Sequence, residues 1–299
     1  MNWRKWLLIG LGAAVLIVGV IAGARALVGV PAVAAFVERY PGVPTMPAET
    51  PVGMPAWLGV QHFINLFLMI MIIRAGLLVR FTRRPKAYFT RDNAKFPQTR
   101  GKPTKITFNT WLHLWLNAMW ALNGLVFVVA LFATGQWMKV VPTSADVFPH
   151  ALSVGLQYLS FNWPTENGWI HYNALQLLTY FITIFIAAPL SVCTGFRISP
   201  AWSKRWERAS QLIPIAPVRT LHFILMCYFT IFITTHVGLV LLTGARRNLN
   251  HAFAATDGDG WLGVILFAVS LLVVAVGWVL ARPMFLKPVA QLHGKVTAR

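Results

Sequence analysis

Acidic residues are scarce in this sequence: eight Asp and Glu stand against 26 Lys and Arg in 299 residues, and charged residues of both signs make up only 11%. A water-soluble domain carries about twice that charged fraction. The deficit is uneven, because windows of about 20 residues hold no charge at all, which is the length that crosses a bilayer core as a helix. Cysteine is nearly missing too, with only Cys193 and Cys227. Two thiols cannot ligate an iron–sulfur cluster of the usual kind, which takes four. Without a Cys-x-x-Cys-His stretch, covalent attachment of a c-type haem is excluded. Both cysteines fall within apolar runs and read as small buried side chains. Strict alternation of polar and apolar residues is also lacking, which argues against a transmembrane barrel. The stretches between apolar runs, 28–56, 82–107 and 134–169, are each about 25 to 40 residues, too short for an independent enzymatic core.

What the chain does have is apolar length: 57% of it is hydrophobic. Six spans are expected, at 6–27, 57–81, 108–133, 170–193, 221–243 and 261–280, with Arg25 and Arg74 the charges within them, besides Arg80 at the very end of the second. Trp6, Trp57, Trp111, Trp137, Trp169 and Trp261 stand at span ends, where aromatic side chains anchor at the interface. The fold class that follows is an all-α membrane protein, six transmembrane helices around a four-helix core. Three segments divide it: the first helix and a periplasmic stretch at 1–56, the four-helix core at 57–244, and a last helix with its tail at 245–299. The first span has two readings. Arg4-Lys5 followed by an apolar run and Ala24-Arg25-Ala26 resembles a cleavable leader, whereas the length of the run fits a retained helix. Residues 149–161 mix apolar and polar side chains over about three turns and read as a helix along the membrane surface or as a docking face, stopped by Asn162-Trp163-Pro164.

The net charge of +18 does not point to nucleic acid, because its distribution follows topology. Twenty of the 26 basic residues lie in 1–5, 80–105, 197–219 and 282–299, which hold only Asp92 and Glu207 as acids. That alternation places both termini and the basic loops in the cytoplasm of a bacterial inner-membrane protein, with an affinity for anionic lipid.

Five of the eight histidines, His62, His113, His171, His222 and His236, fall in the expected spans. An ionisable side chain in hydrocarbon is a functional candidate by default. His222 and His236 are 14 residues apart, so they lie within about 40° of the same helix face and about 21 Å apart in height. One helix therefore offers two ligands at two depths, which suits two stacked haems and not one metal ion with all ligands about 2 Å away. Matching depths pairs His113 with His222 in the cytoplasmic half and His62 with His236 in the periplasmic half. His171 has three readings: a solvated interfacial residue, part of a quinone pocket, or a substitute for His62. His150, His251 and His293 fall in loops and carry no expected role. Arg74 either meets a haem propionate, which offsets burial of its charge, or snorkels to the surface; Arg219 is a second propionate candidate. Gly76 and Gly124 either admit a porphyrin closely or pack helices. Phe229, midway between His222 and His236, fills the core or the gap between macrocycles.

Histidines on the first two helices of a four-helix core and two on its fourth resemble the bacterial di-haem cytochrome b family, the membrane subunits of nickel–iron hydrogenases, formate dehydrogenases and thiosulfate reductases. The matching stretches are Gln61-His62-Phe63-Ile64-Asn65, Trp111-Leu112-His113, Leu221-His222 and Thr235-His236, within 57–244. Phe148-Pro149 and Pro164-Thr165-Glu166-Asn167-Gly168-Trp169 are similar to a cytochrome b/b6-like branch that accompanies molybdopterin oxidoreductases. The resemblance implies two non-covalent b haems with His62, His113, His222 and His236 as axial ligands. It also implies electron relay between the quinone pool, with quinone a further ligand, and a partner oxidoreductase subunit. Two other classes remain from the residues alone. A transporter normally places acids at mid-membrane, and all eight here lie outside the spans. A haem-free anchor subunit is separated by a reduced-minus-oxidised spectrum.

Overall fold

The computed structural model of the chain describes residues 3–96, 98, 103–164, 167–203 and 206–298; Thr165 and Glu166 of the resemblance lie outside them. Long apolar runs become long helices because hydrocarbon offers no partner for a backbone N–H or C=O, so each segment must satisfy its own. In chain order the helices begin with α1 (Trp3–Val28), α2 (Pro31–Arg39) and α3 (Ala56–Phe81). Strands β1 (Ala87–Arg91) and β2 (Lys105–Thr107) precede α4 (Phe108–Ala133), and α5 (Val147–Leu159) follows. The next span, Ala174–Ile198, consists of α6 (Ala174–Phe181), a wide π turn (Ile182–Ala187) and α7 (Ala188–Ile198). A short α8 (Glu207–Leu212) leads to α9 (Ile215–Leu242), α10 (Ala245–Leu249) and a second π turn (Asn250–Ala254). The chain ends with α11 (Leu262–Leu280), α12 (Pro283–Gln291) and β3 (Gly294–Ala298). Six helical segments among the described residues are long and apolar enough to cross a membrane, and the all-α membrane fold expected above is the one present.

Local chemistry sets the boundaries. Pro31 supplies a preset φ at the start of α2. Thr107 begins α4, its hydroxyl accepting the Thr110 amide at 3.1 Å. Asn173 opens α6 in a capping box with Gln176, which fills two of the orphan amides of a first turn. The π turn precedes Pro189, at the start of α7. A proline there removes an amide donor and crowds the carbonyl four residues back, so the turn widens.

Two compact units form, Met1–Val52 with Leu131–Ile186, and Gly53–Ala130 with Ala187–Arg299. They cut across the 57–244 segment read from the sequence. In the first unit, the stretch after α2 is strapped to α5 and α6. The Gly42 amide donates to His150 Nδ1 at 3.1 Å, Thr45 donates twice to Asp146, and Ala174 N donates to Gly42 O at 2.9 Å. Arg25, the charge inside the first apolar run, donates to the Ser160 carbonyl at the end of α5, 2.9 Å away. Val147, Ala151, Ala174 and Leu177 form this unit's buried apolar cluster.

The second unit holds the main core: Leu68, Met71 and Ala75 of α3, Phe108, Trp111, Leu112, Leu116 and Trp120 of α4, and Leu225 and Phe229 of α9. Contact with α11 is close enough that Gly277 admits the Phe67 ring, where a side chain would collide. One element was not legible beforehand. The loop after α3 and the chain's end make a three-stranded antiparallel sheet in the order β2-β1-β3, with Phe89 opposite both Ile106 and Val296. Gly294 is required in β3 because the Thr90 carbonyl and the Phe89 ring occupy the space a Cβ would take.

Candidate functional site

Four of the five histidines read as intramembrane, His62, His113, His222 and His236, lie in the second unit, and the structure brings them together in two pairs. His113 of α4 and His222 of α9 face each other with ring centroids 6.3 Å apart and planes at 88°. Two imidazoles bound to one iron, each nitrogen about 2 Å from the metal and about 1.1 Å from its ring centre, have centroids roughly 6 Å apart. The spacing fits that sandwich.

Hydrogen bonding fixes which nitrogen His222 offers. Thr194 of α7 places Oγ1 2.9 Å from His222 Nδ1. That hydroxyl has one proton, directed to the Leu190 carbonyl at 2.7 Å and the Ser191 carbonyl at 3.1 Å. Toward the imidazole it must accept. Nδ1 therefore carries the hydrogen, and the Nε2 lone pair is left for a ligand, the usual way an outer partner orients a metal-bound imidazole. Glycines set the walls. A Cβ at Gly195, beside Thr194, would lie 3.3 Å from His222 Cε1, and one at Gly76 of α3 would lie 3.1 Å from His113 Cε1. Gly76 thus meets the His113 ring directly, a closer role than either reading given to it from the sequence. The space beside Gly124 holds no atom within 4 Å. His113 Nδ1 is buried without a partner in hydrogen-bond geometry, the Ile72 backbone lying beside it.

The second pair is His62 of α3 and His236 of α9, which lie within electrostatic range of each other. His62 Nδ1 is 2.9 Å from the Leu58 carbonyl. A carbonyl can only accept, so this ring also carries its hydrogen on Nδ1 and presents Nε2. His236 stacks on Phe232 one turn earlier, with centroids 5.6 Å apart and planes at 6°. The Phe253 ring, from the π turn after α10, packs against His62 at 5.9 Å. Between the two levels Phe229 is buried edge-on against Trp120 of α4 at 5.8 Å. That is the core-filling role.

Other expectations need correction. Arg74 does not aim toward either pair. Its guanidinium donates to the Ala281 carbonyl at 3.0 Å and lies 4.8 Å over the Trp278 ring, holding the carbonyl end of α11; it is two residues, about 200°, from the face carrying Gly76. Arg219 stays where the sequence put it, on the first turns of α9 three residues before His222, and is exposed there as Arg80 is at the end of α3. His171 is not in a span, because the Asn173 cap starts the helix after it; the ring lies in the preceding coil of the first unit, with Nδ1 buried and unpaired. The cysteines are not both buried: Cys193 is exposed on α7 and Cys227 half-buried.

The three histidines dismissed as loop residues all have partners. His150 is buried and accepts from Gly42. His293 places Nδ1 2.8 Å from the Phe96 carbonyl and packs its ring on Trp115. His251 is buried, and its Nε2 meets Asp257 at 2.8 Å, a carboxylate also gripped by both arms of Arg247. These two bases hold the Asp257 carboxyl down to about 2. Asn250 pins the same loop, donating to Gly258 O and Gly260 O and accepting from Gly263 N. The effect is a rigid clasp that keeps Phe253 on the His62 ring. An acid six residues after a histidine was the available signal.

No group of three or more His, Cys, Asp or Glu donors that could hold a metal ion occurs among the described residues. Paired imidazoles suit an iron whose four other positions belong to a macrocycle. The residues present therefore fit haem better than a protein-only metal centre. No family model, curated protein or solved structure matches the chain.

Proposed function

We propose that this chain is a membrane-bound di-haem b-type cytochrome that relays electrons between the quinone pool and a partner oxidoreductase subunit, a molybdopterin enzyme or dehydrogenase. The observation that carries the reading is the His113–His222 pair: two rings 6.3 Å apart on different helices, one forced into the Nδ1–H tautomer by Thr194. His62 and His236 hold the second haem. Iron with two axial imidazoles has no open position for substrate, so such a group supplies one-electron transfer.

The protein's share is to hold and tune. Thr194 and the Leu58 carbonyl orient His222 and His62. Gly76 and Gly195 let His113 and His222 seat against neighbouring helices, and Phe232 and Phe253 flank the second pair. The alternation of basic segments puts the His113–His222 pair in the cytoplasmic half and both termini in the cytoplasm of a bacterial inner membrane. The short extramembrane segments motivate a separate catalytic subunit.

Pyridine haemochrome analysis of the purified protein tests this. A ratio near two b haems per chain is expected. A ratio near one removes one pairing, and the absence of a b-type band in the reduced-minus-oxidised spectrum overturns the assignment.

A further inference from the structure

With Arg74 committed to α11, the next cation along α3 is Arg80, exposed at the end of the helix. Arg80 is four residues after Gly76 on α3, so it lies within about 40° of the face that meets His113 and about 6 Å further along the helix. Its guanidinium sits 4.0 Å from the ring centre of Phe223, the residue after His222 on α9. Arg80 therefore spans from the helix that backs one imidazole to the helix that carries the other, one turn toward the helix ends. Stacking on an aromatic face occupies the flat side of a guanidinium and leaves its in-plane N–H donors pointing outward, in the fork that matches a carboxylate. No Asp or Glu occurs anywhere in α3, α4, α7 or α9, so those helices offer this cation no counter-charge. A second cation at this end of the unit, Arg197, is already taken up by the Ile213 and Ser210 carbonyls.

We propose that Arg80, held over the Phe223 ring, binds the propionate carboxylates of the haem held by His113 and His222. The inference rests on the di-haem reading. It assigns a cofactor-binding residue that sequence spacing did not single out, in place of Arg74.

The test is equilibrium redox titration of the purified full chain, followed by the b-type absorbance. The His222→Ala variant identifies the component belonging to this haem. Arg80→Gln removes a positive charge beside the carboxylates, which favours the oxidised, more positive iron. The expected result is a lower potential for that component alone. Its reduced-to-oxidised ratio should fall about tenfold at fixed ambient potential, which is about 59 mV for a one-electron couple. Arg80→Lys keeps a point charge without the fork and should fall between, which keeps the test decisive if the glutamine variant fails to assemble. Arg83→Gln, an exposed charge just beyond the helix, should move neither component. An unchanged potential in Arg80→Gln with both haems bound overturns the proposal, as does an equal shift of both components or the same shift from Arg83→Gln. A wild-type chain without haem would instead end the reading beneath it, an outcome visible before any variant is made.

Discussion

Replacing Thr194 by valine removes one oxygen and changes shape little, yet it reaches the His113–His222 centre through a single hydrogen bond. The native hydroxyl gives its proton to the helix carbonyls at 2.7 and 3.1 Å and receives the His222 Nδ1–H at 2.9 Å. Valine takes the hydroxyl acceptor from that half-buried N–H and leaves it only the Ser191 carbonyl nearby, a loss of up to about 1–3 kcal/mol. On the proposed reading the loss would fall on the haem-bound state, where the ring must stay in one tautomer and one orientation. Weakening of about tenfold to a hundredfold in retention of that haem is therefore expected, the range found when outer partners of metal ligands are removed. The assay is haem content after stepwise exchange into haem-free buffer, with the two haems separated by the loss each shows in His222→Ala and His236→Ala. Thr194→Ser keeps the hydroxyl and should behave like the parent. If valine leaves both haems equally well held, or loosens the His62–His236 haem instead, the tautomer argument is wrong.

Three further outcomes follow. Gly76→Ala places a methyl 3.1 Å from His113 Cε1, so the ring must give by a few tenths of an ångström; a lower content of the first-pair haem is expected by haemochrome analysis, with the second haem kept. On the proposed reading, the 88° between the His113 and His222 rings would make two d orbitals of a bound iron nearly equal in energy. The oxidised His236→Ala protein should accordingly show one strongly anisotropic low-field feature in electron paramagnetic resonance, and a three-line rhombic spectrum would contradict the geometry. Burial holds the Lys139 ammonium down to about 8, against about 10.4 in an unfolded chain. Between those values the unfolded state binds the extra proton, so stability rises with pH from about 8 to about 10.4 and is flat below. Thermal unfolding followed by tryptophan fluorescence should show that rise, and Lys139→Gln should flatten it.

The spans were legible because charge-free apolar length is a one-dimensional property, and 108–133 agrees with α4 to the residue. Its limits show at Ile170, where an apolar side chain was read as a helix start although Asn173 and Gln176 carry the cap. The His113–His222 meeting was legible because depth and helix phase follow from residue counts. Thr194 and Gly195 were not, since no spacing within a sequence relates α7 to a ring on α9. The β1–β3 pairing joins segments some 200 residues apart, each too short to carry a periodic signal. Arg74 was misread for a related reason: its partner, the last carbonyls of α11, is backbone and has no sequence signature.

Because α9 carries one imidazole for each pair, the height between the two levels is set by fourteen residues of a single continuous rod. A thicker or thinner bilayer can tilt that rod, but it cannot stretch the interval. On the proposed reading, the gap an electron must jump stays the same from one lipid composition to another, and only the outer ends of the circuit would feel the change.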